Sequence, residues 1–381
     1  MKIIIAPDSF KGSLSAMDAA RAMAEGISEI RPDAELLLLP AADGGEGTME
    51  NLVAATSGKT VSTEVNDPLG RRITSRYGVL GDGETCVVEL AEASGLMLLE
   101  KAERDPLAAS TYGTGELIRH ALDAGFRKFI IGLGGSATND GGSGMLQALG
   151  IKFFGPDDKE FNATGGALGN LREIDDSGFD PRIAESRFLI ASDVENPFVG
   201  YQGASAVFGP QKGATPELVE LLDNNLLNYA NVIERKTGFS LHAKKGSGAA
   251  GGAGGAFQVF FSGEMKRGID VVLEAINFEE QSASADLIIT GEGKSDAQTL
   301  SGKTPYGISE VALKHGKPVL LISGLVDEDA KELLLPYFTE VHSVVGHTVS
   351  SQESIAHPEL HLKTKTKQVV EAYFKKHEKG V

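Results

Sequence analysis

Short apolar runs, each followed by a polar glycine-bearing turn and then by apolar residues at helical spacing, recur along the chain. Residues 2–6 form the first run and predict a buried strand. Ser15 stands as a helix cap, with Ala16, Ala20, Met23, Ile27 and Ile30 at helical spacing behind it. Residues 35–39 predict a second strand, stopped by Pro40, and a helix comes next at about 48–56. Strand, loop, helix, twice over, predicts a parallel sheet whose ligand edge lies at the carboxyl ends of its strands. Near residue 60 the texture changes. Runs at 61–65, 72–80 and 85–91 are separated by Pro68-Leu69-Gly70 and Gly81-Asp82-Gly83, the pattern of an antiparallel meander. A helix at 114–122, with Thr114 as cap and Gly125 as stop, comes next.

The densest glycine turn then begins. Phe129-Ile130-Ile131 reads as a strand, Met145, Leu146, Ala148 and Leu149 suit a helix, and glycines crowd the segment between. Such a loop is costly in chain entropy, which points to positive φ angles or a close backbone approach. The build also leaves backbone N–H groups and a positive helix end for an anion. Further on, 187–191 reads as a strand. Thr215-Pro216-Glu217 opens a long helix with cap, proline and acid in place. Residues 245–255, almost all Gly and Ala, predict a flexible or closely packed loop, and Ser262 a cap for a helix carrying Met265, Ile269, Val272 and Ile276. The strand–loop–helix texture resumes with a strand at 285–290, a helix at 305–315 and a strand at 318–323. After these come a helix capped by Asp327, a short strand at 343–345 and a closing helix at 365–376. The likeness of the two ends predicts one parallel-sheet domain built from 1–64 and 285–381, a mixed α/β domain inserted at 65–284, and an active site in the cleft between them.

Composition narrows the possibilities. A net charge of −17 repels nucleic acid and anionic lipid, so an anionic substrate needs a local basic pocket. With one cysteine, Cys86, no internal disulfide or cysteine-based zinc site is available. No apolar run approaches the ~20 residues that span a bilayer, and the acidic start is no signal peptide. A cytoplasmic protein is expected. Phosphoryl transfer needs amides and a cation near phosphate oxygens, a carboxylate for Mg²⁺ and an oriented acceptor hydroxyl. Lys11 with Gly12 and Ser13 offers a cation and amides, Asp43 and Asp193 lie just after strand ends, and Lys212 is a second cation. Each has a plainer reading as well: strand-end Asp residues are also helix caps, and a single lysine is also a solvated one. No Walker pattern is present.

Five segments carry a resemblance to a known family. They are Ile5-Ala6-Pro7-Asp8-Ser9-Phe10-Lys11-Gly12, Pro40-Ala41-Ala42-Asp43-Gly44-Gly45-Glu46-Gly47-Thr48, Gly132-Leu133-Gly134-Gly135-Ser136-Ala137-Thr138-Asn139-Asp140-Gly141-Gly142, Phe208-Gly209-Pro210-Gln211-Lys212-Gly213-Ala214 and Thr290-Gly291-Glu292-Gly293-Lys294. In this order they resemble the bacterial two-domain glycerate kinases over essentially the full chain. The resemblance implies a Rossmann-like domain from both chain ends with an inserted α/β domain, and ATP-dependent, Mg²⁺-assisted phosphorylation of D-glycerate in glyoxylate-type carbon metabolism. The 2-position is favoured over the 3-position. On that reading Gly134, Gly135, Ser136, Thr138 and Asn139 bind the nucleotide, and Asp193 and Asp43 share the metal and general-base roles. Lys11 completes the catalytic set. Ser9, Lys212, Glu292, Lys294 and Arg71 meet the substrate, with Arg72 in reserve. A monomer or homodimer, with glycerate and ATP as its only partners, is expected. Two rivals are a homoserine- or sugar-kinase type, since Gly132–Ala137 is superficially similar to that superfamily's loop, and a non-catalytic nucleotide- or sugar-acid-responsive regulator.

Overall fold

The computed structural model describes residues 1–10, 12–42 and 47–377. Lys11 and Asp43, two of the expected catalytic residues, therefore lie outside the described residues, as do Gly44, Gly45 and Glu46 of the second motif. The chain divides into two compact units. The terminal unit takes 1–43, 50–56 and 269–381, and the inserted unit takes 44–49 and 57–268.

The terminal unit is a five-stranded, wholly parallel sheet. Its strands run in the order Glu340–Ser343, Val319–Ser323, Leu287–Thr290, Lys2–Ile5, Glu35–Leu38. The three central strands are nearly continuous apolar runs because both faces are covered. Helices Ala16–Ser28 and Pro358–His377 pack against each other, and Ala20, Met23, Ile27 and Val370 join Ile3, Ile5, Ile289 and Leu320 in one core. Ser15 caps the first of these helices, its side chain accepting from the Asp18 N–H.

The inserted unit is a mixed six-stranded sheet. Strands Glu264–Lys266, Arg187–Ala191, Lys128–Gly132 and Thr85–Glu89 are parallel neighbours, and Arg72–Val79 and Lys59–Asn66 continue antiparallel. Phe129 and Phe188, paired across adjacent strands, stack at 4.7 Å between ring centroids. Strand Lys59–Asn66 pairs along its whole length with Arg72–Val79, and the longer segment of this unit runs from Ser57, so the strand lies within it entire. At the other end Ile269 packs so closely on Gly307 that a Cβ there would lie 2.4 Å from it, which places Ile269 and the residues after it in the terminal unit.

Some local expectations give way to packing. Thr114 lies inside helix Tyr112–Asp123, where its hydroxyl pairs with that of Ser94, and Thr111 is the capping position. Met265 sits on an edge strand; the helix expected from Ser262 starts only at Gly268. The strand expected at 343–345 is Glu340–Ser343, and the last helix begins at Pro358. Among the described residues no helix is long and apolar enough to cross a membrane.

Candidate active site

In the terminal unit the loops leaving the strands' carboxyl ends are bonded together. The Thr290 hydroxyl donates to the Ala6 carbonyl at 2.8 Å and the Asp8 N–H to the Gly291 carbonyl at 2.8 Å. Only glycine fits at 291, because a Cβ would lie 1.9 Å from the Ile322 carbonyl oxygen. A cavity of about 420 Å³ opens beside these loops, and its polar lining includes Asp8, Ser9, Glu292, Lys294, Asp296 and Lys303. Glu292 is 6% exposed. One of its oxygens accepts from the Ser295 hydroxyl at 2.9 Å and the Thr299 hydroxyl at 2.7 Å, and the other lies 3.9 Å from the Lys303 ammonium. Burial pushes the Glu292 carboxyl above its ordinary range; the two hydroxyls and Lys303 oppose this, and the neighbouring Asp8 adds to it. Asp8 accepts from the Ser9 N–H and from the Thr304 hydroxyl, each at 2.6 Å. Lys294 stands 3.7 Å from Asp296 and 3.9 Å from Asp327, half exposed.

Three of the expected substrate residues, Ser9, Glu292 and Lys294, thus share one cavity. Lys212 and Arg71 do not line it; both lie in the inserted unit. Arg71 is held on a hairpin turn by Asp67 at 2.5 Å and Glu103 at 2.7 Å. Arg72 pairs with Glu116 at 2.8 Å. Asp8, Asp296 and Lys303 are residues of this cavity that sequence reasoning passed over. Their signals were there: Asp8 ends the first quoted motif's apolar run, and Lys303 stands just before a helix opened by Thr304-Pro305.

The glycine turn of the inserted unit leaves the central strand Lys128–Gly132 and enters the short helix Ser143–Ala148. Its helix end is already occupied by the side chain of Asp140, whose pKa burial raises against the hydrogen bonds it accepts. That carboxylate accepts from the Thr111 N–H (2.7 Å) and hydroxyl (2.8 Å), the Gly142 N–H (3.0 Å) and the Gly144 N–H (3.3 Å). Lys212, 1% exposed, donates to the Ser136 hydroxyl at 2.9 Å and the Thr138 carbonyl at 2.6 Å. Burial lowers the Lys212 pKa to about 7, with the Asp140 charge opposing. Asn139 donates to the Ser205 hydroxyl at 2.9 Å. Thr138 and Asn139 have no exposed surface, and the Ser136 hydroxyl is taken by Lys212; of the expected nucleotide residues only Gly134 and Gly135 keep substantial exposure. Lys212 thus pins the turn from inside, while the Thr138 hydroxyl and the Asn139 amide oxygen are buried without a partner among the described residues. The glycines serve close packing: at Gly251, in the Gly/Ala segment, a Cβ would lie 2.0 Å from the Thr138 carbonyl oxygen.

Asp193 is exposed beyond strand Arg187–Ala191 and accepts from the Gly268 N–H at 3.1 Å. Among the described residues no three His, Cys, Asp or Glu side chains gather as a metal cage.

A parallel sheet with acids and lysines at its carboxyl edge, joined in one chain to a mixed α/β sheet, defines an α/β enzyme that handles small polar ligands. Comparison with known proteins narrows the class. The chain belongs to the glycerate kinase family, whose model matches residues 3–374, and is a phosphotransferase. It is 46% identical over 357 residues to the glycerate kinase of Bacillus subtilis, covering 94% of each chain. It is 48% identical over 329 residues to the glycerate 2-kinase of Escherichia coli K12, covering 86% of each. The crystal structure of a Salmonella typhimurium LT2 protein designated glycerate kinase 2 superposes with a TM-score of 0.91 at 44% identity, over 99% of both chains. The family assignment sets aside the homoserine-kinase and regulator readings. The kinase activity implies ATP as donor.

Proposed function

We propose that the chain transfers the terminal phosphoryl group of ATP to the 2-hydroxyl of D-glycerate, forming 2-phosphoglycerate, as a step of glyoxylate-type organic-acid metabolism. One observation carries the choice of position: 48% identity, over 86% of both chains, to a protein named glycerate 2-kinase. Phosphorus NMR of the product tests it. Phosphate on the 2-oxygen couples to a single vicinal proton and gives a doublet; a triplet, from a neighbouring methylene, overturns the assignment.

Mg²⁺ is a hard ion that takes one or two carboxylates together with water and phosphate oxygens, so the lack of a preformed cage is compatible with it. Asp193 fits such a role as an exposed carboxylate beyond a strand end, and Asp43 fits it by its place in the sequence. When bound, the ion neutralises phosphate charge. We assign the other of these two carboxylates to accept the proton of the glycerate hydroxyl. Lys11, beside Gly12 and Ser13, offsets the charge of the glycerate carboxylate or of the transferring group. Removing a general base of this kind costs about 10²–10⁴ in rate. Native kcat in both Asp193→Asn and Asp43→Asn removes these roles from both residues.

A further inference from the structure

The cavity of the terminal unit has a mixed lining. Beside its charged side chains it carries apolar ones: Phe10, Leu325, Val344, Val345, Ile355 and Leu362. Phe10, Val344 and Leu362 are 5%, 7% and 2% exposed and belong to the unit's core, so that part of the lining is preformed. Ile355 and Leu325 stay 64% and 36% exposed at its rim, apolar surface that a flat, apolar group would remove from water.

Glycerate cannot use such a lining, since each of its three carbons bears oxygen. The phosphoryl donor can, because it carries a purine. A volume of about 420 Å³ is that of a site for a drug-sized ligand rather than for a three-carbon acid. The place is also the usual one, outside the carboxyl ends of parallel strands in an open α/β sheet. Of the charged side chains, Asp8 and Asp296 provide carboxylate acceptors for sugar hydroxyls. The ammonium groups of Lys294 and Lys303 stand 3.7–3.9 Å from their carboxylate neighbours, spacings that leave them able to turn toward phosphate. The competing site, the glycine turn of the inserted unit, has its helix end filled by Asp140.

We propose that this cavity binds the adenine base and ribose of ATP, the base lying against Val345 and Ile355 and the sugar toward Asp8 and Asp296. The inference rests on ATP being the phosphoryl donor. It is independent of which glycerate hydroxyl is phosphorylated.

The chain contains no Trp, so one introduced indole is a unique probe. In full-length Ile355→Trp, adenosine and ADP are expected to quench the emission saturably, whereas glycerate and inorganic tripolyphosphate leave it unchanged. In Val345→Asp, at a half-buried rim position, KM for ATP rises about tenfold, as expected when an apolar contact becomes a desolvated carboxylate, with KM for glycerate unaltered. Quenching by glycerate but not by adenosine overturns the proposal, and so does no response to any of these ligands. An unchanged KM for ATP in Val345→Asp also overturns it. ADP release by the native chain on adding glycerate is measured in parallel. Turnover without a response in the cavity defeats the nucleoside site alone; adenosine quenching without glycerate turnover upholds the site and defeats the choice of acceptor.

Discussion

Replacing Lys212 by Met tests whether the glycine turn is an internally pinned core. The substitution keeps most of the volume and removes the two donors that hold the Ser136 hydroxyl and the Thr138 carbonyl. Leaving a buried acceptor without a partner costs about 1–3 kcal/mol each, so the loss is roughly 2–6 kcal/mol for the pair. Against this stands the cost of burying an ammonium. Its pKa is about 7 in the fold against an ordinary 10.5, a penalty of about 5 kcal/mol at 1.36 kcal/mol per unit, present in full below pH 7. The two effects are opposite in sign and of the same order at pH 6. Above pH 7 the folded lysine is neutral while the unfolded one is still charged. The unfolded state then binds more protons, and stability rises with pH up to about 10.5. A neutral amine still donates both hydrogen bonds. The gap between native protein and Lys212→Met should therefore widen by about 2.7 kcal/mol, two units' worth, from pH 6 to pH 9. For a unit of this size that is roughly 5–11 °C in Tm, read by scanning calorimetry at the two pH values. Parallel Tm curves for the two proteins across that range refute the reasoning.

The same geometry bears on three further substitutions. Gly251→Ala forces a methyl group onto the Thr138 carbonyl at a φ of +65°, and should lower stability by about 2–4 kcal/mol in urea titration, more than an alanine at the exposed Gly238. Glu292→Gln removes a carboxyl whose pKa is raised by burial. The native protein loses stability as pH rises above about 4.5 through the raised value, because the unfolded state gives up its proton first, and the Gln variant should be flatter there by differential scanning fluorimetry. Arg71→Gln breaks ion pairs to the buried Asp67 and the partly exposed Glu103; it should leave KM for glycerate within about twofold in steady-state assays.

What could be read from the residues, and what could not, divides along a physical line. The buried strands 2–5, 287–290 and 319–323 are apolar but for one end residue each, and the caps Ser15, Thr215 and Asp327 carry side chains that bond their own helix starts. Such features depend on neighbours within a few positions, so spacing reveals them. The motifs around Asp8, Lys212 and Glu292 likewise announce the family, because their order along the chain is itself the signal. Only the tertiary structure decides which of these residues meet. Glu292 gains its neighbours from Thr299, Lys303 and Asp8, the last of them far away along the chain. Lys212 reads in sequence as a cation for the substrate, yet lies buried on a turn some seventy positions earlier, where an Asp occupies the helix end expected to receive an anion. Desolvation and long-range pairing settle whether a charged side chain faces a ligand or holds the fold, and neither is written in local spacing.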